Sequence, residues 1–154
     1  MRKPILLLLT GFLFSIGSLF AQGLQIAALP MVVNGMAAHN VYESETIGIA
    51  NAKSKQFERY QQLISIATKE QLLDLANEHG NAVVRLYAFQ ALRERSIAIP
   101  KSLQQKFKDD ETIVPVLEGC VANKFPLNKL AATQLSAKNN WHKQNFTGTS
   151  FVNQ

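Results

Sequence analysis

The residues of this chain whose types could support catalysis or ligand binding are few: three histidines, one cysteine and a short acidic edge. His39, His79 and His142 stand far apart. None has a second His and a Glu at the spacing that sets ligands on one helix face around a metal ion. His79 comes just before Gly80, where a helix would end, and an imidazole there supports the helix terminus rather than holding a metal. Asp74 and Glu78, one helical turn apart, form an acidic edge beside it, so Asp74, Glu78 and His79 are the candidate contact residues of this part. Cys120 is the only cysteine. It has no mate for an internal disulfide, and its place in an apolar stripe predicts a buried, structural role. The sequence holds no glycine-rich phosphate loop, no nucleophile elbow and no Cys-x-x-Cys pair. No catalytic residue, metal ligand or cofactor is assigned.

The stretch that must position these groups, Thr68 to Arg95, is punctuated as two helices joined by a tight turn. Thr68 followed by Gln71 fits a capping box, and Leu72, Leu73, Leu75 and Ala76 give the first helix its apolar side. Gly80 stands where a left-handed closing residue is wanted, and Asn81 is a good N-cap for the second helix. Val84, Ala88, Ala91 and Leu92 then form a stripe at helical spacing, widened by Val83, Leu86 and Tyr87, with Arg85 the one charged residue at its start.

The run GNAVVRLYAFQAL resembles the second helix of a HEAT-type repeat, with its polar cap, a Val-Arg pair one turn in and an Ala-x-x-Ala-Leu stripe. The longer segment from Tyr60 to Leu135 is similar to small exported HEAT-repeat proteins. The resemblance implies an all-α fold, a short right-handed α-solenoid of HEAT-like helix pairs; it implies an architecture and not a chemistry. It also implies that Arg85 makes structural hydrogen bonds or salt bridges between helices, with Asp110 or Asp74 as partner.

A shift of 29 residues carries Asn81 to Asp110, Val84 to Ile113, Ala88 to Leu117, Ala91 to Cys120 and Leu92 to Val121. This predicts a second helix starting at Asp110 or Thr112, with Val84 and Ile113, and Ala88 and Leu117, on a common seam. Arg85 has no counterpart in it, because Val114 stands there. Pro100 opens a short helix with Leu103 and Phe107 inward, and Leu127, Leu130, Ala131 and Leu135 mark a last helix after Pro126. Ahead of the central pair, Phe57, Tyr60, Ile64 and Ala67 share one helical face that starts near Ser44 or Ser54. Residues 22–52, broken by Pro30 and Asn34-Gly35, are poorly defined and read as a short extended segment, an N-terminal cap laid over the first helix, or a loosely ordered leader.

With 154 residues the chain is one domain at most. Arg2 and Lys3 precede an apolar run from Ile5 to Phe20 and then Ala21, the pattern of an export signal at 1–21 cleaved near Ala21. Gly11, Ser15, Gly17 and Ser18 interrupt the run and no positive cluster follows it, which argues against a retained membrane anchor. Without Arg2 and Lys3 the basic residues fall from 16 to 14 against 11 acidic, a net charge of +3. The HEAT-like helical domain would span 53–137, after the poorly defined segment 22–52. Residues 138–154 read as a mobile basic tail in which Lys138, Trp141 and Lys143 are candidate contacts for a membrane surface or polyanion. The lysines are too sparse for nucleic-acid binding. The expected function is that of an exported, non-catalytic scaffold or interaction module, periplasmic or secreted, with a protein partner. Alternatives are envelope docking through the tail, or an enzyme on the same frame with a pocket at Glu78, His79 and Arg85.

Overall fold

The computed structural model describes residues 28–136. The expected signal at 1–21 and the basic tail at 138–154, with Lys138, Trp141 and Lys143, lie outside the described residues.

Helix α1 (residues 28–39) opens the described chain, with Val32, Val33 and Met36 on its buried side. At Gly35 the end of the Arg59 side chain from the next helix lies close, and an added Cβ would meet its Nε at 2.9 Å. Strand β1 (Tyr42–Ile47) and the two-residue β2 (Ala52–Lys53) follow, joined by a turn in which Gly48 and Asn51 both take positive φ. Four helices come next: α2 (Lys55–Ile66), α3 (Lys69–Glu78), α4 (Ala82–Glu94) and α5 (Lys101–Asp109). The chain then returns as β3 (Ile113–Gly119) and β4 (Val121–Pro126) and ends in α6 (Leu127–Ser136). The strands form one sheet in the order β2-β1-β3-β4, with β1 and β3 parallel and both outer pairings antiparallel.

The helix starts follow from their caps. Ser54 Oγ accepts Phe57 N–H at 2.9 Å, and Asn81 Oδ1 accepts the amides of Val83 and Val84 at 2.9 and 3.1 Å. At Thr68 both halves of the capping box form, with Gln71 N donating to Oγ1 and Thr68 N donating to Gln71 Oε1. Helix α4 is the centre of the molecule: ten of its thirteen residues are buried, and it touches α2, α3, α6 and β3. Phe89 on α4 stacks on Phe107 of α5 with ring centroids 4.2 Å apart, and a chain of tilted rings joins Tyr42, Tyr87 and Tyr60 at 4.6 and 5.1 Å.

The sheet overturns the expectation of an all-α solenoid. A parallel pair of strands needs a long crossover, and here the four helices α2 to α5 supply it between β1 and β3. The segment 22–52, which the sequence leaves open, contributes helix α1, the sheet's inner strand β1 and the start of its edge β2; Ser44 lies in β1, and the helix expected near Ser44 or Ser54 starts after Ser54. The 29-residue repeat dissolves for the same reason: Val84 sits in a helix, whereas Ile113, Val114, Val116 and Leu117 sit in a strand. Val84 is fully buried and Ile113 is 56% exposed, so there is no seam. Asp110 ends α5 instead of starting a helix, and Thr112 starts none. Pro115 pairs across the sheet with Lys124 just before the β1 ladder begins at Val116, so its missing amide breaks no run of bonds. Cys120, expected to be buried, is exposed in the β3–β4 turn. Gly80 is not left-handed, since His79 closes α3 in an extended conformation; among the described glycines positive φ occurs at Gly48 and Gly119.

Candidate interaction surface

The residues singled out in sequence lie mostly on the helical side, and they serve the frame. Arg85 Nη2 lies 2.6 Å from Asp110 Oδ2, and its Nη1 donates to the carbonyl oxygens of His79 (2.9 Å) and Gly80 (3.3 Å). One guanidinium therefore ties the α3–α4 turn to the end of α5. Asp110 also accepts from Thr112 N at 2.9 Å, and its own carbonyl accepts Asn128 N at 2.8 Å, fixing the entry to α6. Burial pushes the Asp110 carboxyl up, but the hydrogen bonds from Thr112 and Arg85 outweigh it and hold the group below the usual range. Asn81, besides capping α4, donates to Asn40 Oδ1 at 2.8 Å and so secures the end of α1. His79 Nδ1 accepts Asn81 N–H at 3.1 Å. Asp74 is exposed, and Glu78 meets Lys106 only at 4.0 Å between largely exposed side chains, a weak contact. Arg85 and His79 are thus engaged within the α3–α4 turn, while Asp74 and Glu78 are exposed.

Sequence reading missed a buried polar cluster. The Glu43 side chain is 4% exposed; its Oε1 lies 2.6 Å from His39 Nε2, and Oε2 accepts the Ser54 hydroxyl at 2.5 Å. At Glu43 strand β1 has no β2 residue opposite it, and the Tyr87 hydroxyl stands in, accepting Glu43 N–H at 2.9 Å and donating to Glu43 O at 3.2 Å. The Ser54 oxygen caps α2, its proton goes to Glu43, and the side chain is fully buried, so the group serves to join β1 to the start of α2. Nearby, the Tyr42 hydroxyl donates to Gln90 Oε1 at 2.6 Å and accepts from Gln134 at 3.3 Å, joining β1, α4 and α6. Burial drives the Tyr42, Tyr60 and Tyr87 hydroxyls far above their ordinary range, keeping all three neutral. The sequence signal for the Glu43 cluster was a His four residues before a Glu, legible only once α1 is known to end there.

Two features face outward. An open concavity of about 370 Å³ is lined by Lys53, Glu58, Gln61, Gln62 and Ser65, all exposed and with no aromatic or buried polar group among them. The other is the β3–β4 hairpin. Val114, Val116, Asn123 and Phe125 share the face that meets the helices, yet Asn123 and Val121 on that face are exposed, so the hairpin runs past its cover. At its tip Gly119 has φ 53°, which suits the first position of a two-residue turn, with Cys120 second. Gly48 N donates to Gly119 O at 2.9 Å, which brings the neighbouring β1–β2 turn alongside. Ile49 (95% exposed), Cys120 and Val121 (56% exposed) therefore gather at one end of the sheet. Glu118, opposite Val121, is partly desolvated there, and this burial holds its carboxyl above the ordinary range.

Among the described residues, the outer edge of β4 has no neighbouring strand. Glu118 and Val121 close a two-residue loop and form a hydrogen-bonded pair; alternation from there makes Ala122 and Lys124 the residues whose amides and carbonyls point away from β3. Pro126 is next in that series and offers a carbonyl only.

No family model matches the chain, and none of the curated proteins is significantly similar to it.

Proposed function

We propose that the chain is a non-catalytic interaction module, exported by its N-terminal segment, that binds a protein partner through the projecting β3–β4 hairpin. The observation that carries this reading is the coincidence of an unpaired strand edge at Ala122 and Lys124 with the exposed apolar cluster of Ile49, Cys120 and Val121. An open edge supplies backbone hydrogen bonds to an added strand, and exposed apolar side chains beside it supply the area that makes such addition specific. The remaining polar groups support the reading by their roles: Arg85, Asp110, Asn81, Glu43 and Ser54 are engaged in holding elements together. Among the described residues no helix is long and apolar enough to cross a membrane. The export step rests on Arg2, Lys3 and the apolar run to Phe20.

The test is capture of partners from the protein's own cell envelope with the wild-type chain, with Val121→Asp and with Arg85→Ala. The reading expects a captured protein to be lost with Val121→Asp and kept with Arg85→Ala. Capture that ignores Val121 and collapses in high salt would move the contact to the basic C-terminal end and defeat this reading.

A further inference from the structure

The geometry points to a second copy of this chain as the occupant of the β4 edge, pairing antiparallel about a two-fold axis at Asn123. The inference rests on the hairpin being the binding surface, and it names the partner.

An antiparallel pair places residues of the same face opposite one another, so a two-fold pairing of β4 with itself must centre on a residue, and near the middle of the strand the choices are Ala122, Asn123 and Lys124. Centred on Lys124, the two ammonium groups would stand opposite each other, and Ala122 would face Pro126, which has no amide to give. Centred on Ala122, the Lys124 backbone groups would fall beyond the hairpin turn, opposite Cys120. Centred on Asn123, Ala122 of each copy meets Lys124 of the other, and these are the two residues whose backbone groups point outward. Both pairs exchange their N–H and C=O groups, Val121 lies across from Phe125, and the exposed Asn123 amides face each other. The lysines are kept apart, each opposite an alanine. The edge is self-complementary in this one register, and the two four-stranded sheets become one continuous sheet.

Cys120 plays no covalent part in this arrangement. Opposite it stands Pro126 of the second copy, so the two thiols lie about six residues apart along the strands, roughly 20 Å at the rise of a β-strand. The contact is short and its area modest, which makes the dimer concentration-dependent.

The test uses the protein isolated from its own cells, with light scattering over a dilution series and backbone amide exchange on the same samples. Expected are a dimer that grows with concentration, persists in reductant, and slows exchange at Ala122 and Lys124. Lys124→Pro removes an outward amide without touching the β3 ladder; it should abolish the dimer while leaving circular dichroism and the melting temperature of the monomer nearly unchanged. Lys124→Glu at the same position keeps the amide and should retain the dimer. A chain that stays monomeric at every concentration, a dimer dissolved by reductant, or one indifferent to Lys124→Pro would each overturn the proposal. The wider reading is scored separately by envelope capture: a monomer that still loses its captured protein with Val121→Asp leaves the interaction surface standing and removes only the self-pairing.

Discussion

The helix pair α3–α4 and the hairpin β3–β4 are each two elements joined by a short turn and each about half apolar, yet they are held in opposite ways. The helix pair carries its own specification: Thr68 and Gln71 form a reciprocal cap, Asn81 caps the next helix, and the apolar stripe of α4 is buried nearly all round. The hairpin depends on distant parts of the chain, since β3 is fixed by β1 some seventy residues earlier. Among the described residues, nothing covers its tip or its outer edge. The lesson is that the rigid, locally determined region supplies the frame, and the region whose groups are left over supplies the surface.

The sharpest way to break this comparison is to remove the core contact that binds the helices together. Phe89→Ala deletes a fully buried ring stacked on Phe107, and about 3–5 kcal/mol of stability should go with it, read as a large fall in the urea midpoint. A loss as small as that of a surface substitution would mean that α4 is not the centre of the fold. Next in size is Tyr87→Phe, which removes one oxygen and leaves both backbone groups of Glu43 without their partner. The expected loss is about 1–3 kcal/mol, and amide exchange should quicken at Glu43 while the α3 amides stay protected. Uniform acceleration across the molecule would show that helix layer and sheet open as one unit.

A pair of glycine substitutions compares the two turns directly. Gly119 has positive φ in the β3–β4 turn, so Gly119→Ala should cost about 1–2 kcal/mol. Gly80, between α3 and α4, has ordinary φ and open space where a Cβ would go, so Gly80→Ala should be neutral or stabilising by up to about 1 kcal/mol. The reverse result would place the strained turn between the helices.

That reversal is what the sequence suggested, and the reason is physical. The helices from α2 onward were legible, whereas α1 was not, because capping and 3.6-residue periodicity are local: Thr68, Asn81, the α4 stripe, Leu103 and Phe107, and the start of α6 after Pro126 all stand as their neighbours dictate. The strands were not. Ile113-Val-Pro-Val-Leu117 is a continuous apolar run that satisfies a period of two and a period of 3.6 alike. Its β-branched residues and the Gly119-Cys120 turn were the discriminating signals, and the apparent 29-residue repeat outweighed them. Strand β1 was hidden more completely: YESETI carries two glutamates and no apolar alternation, and Glu43 is buried only because His39, Ser54 and Tyr87, from other elements, satisfy it. Of the candidate surface, the thiol is exposed because Cys120 stands in a turn, where the apolar spacing alone predicts a buried helix position. Arg85 and Asp110 do meet, and they do so between a helix turn and the approach to a strand.

That last contact gives the smallest expected effect, and it joins the two regions. Asp110 is held below its ordinary range in the folded chain, so folding favours its ionised form. The contribution is therefore fully present above the carboxyl's unfolded value, near neutral pH, and is lost as pH falls through the lower folded value. Because the ion pair lies near the surface, the amount is about 1 kcal/mol or less. Asp110→Asn should flatten the acid limb of the stability curve by that amount and leave stability at higher pH lower than that of the wild type. Arg85→Ala should do the same, and the two changes together should cost less than their separate losses added, since each removes the same contact. Additive losses would mean that the helix turn and the approach to β3 are held independently, and that the frame does not transmit its order to the hairpin through this pair.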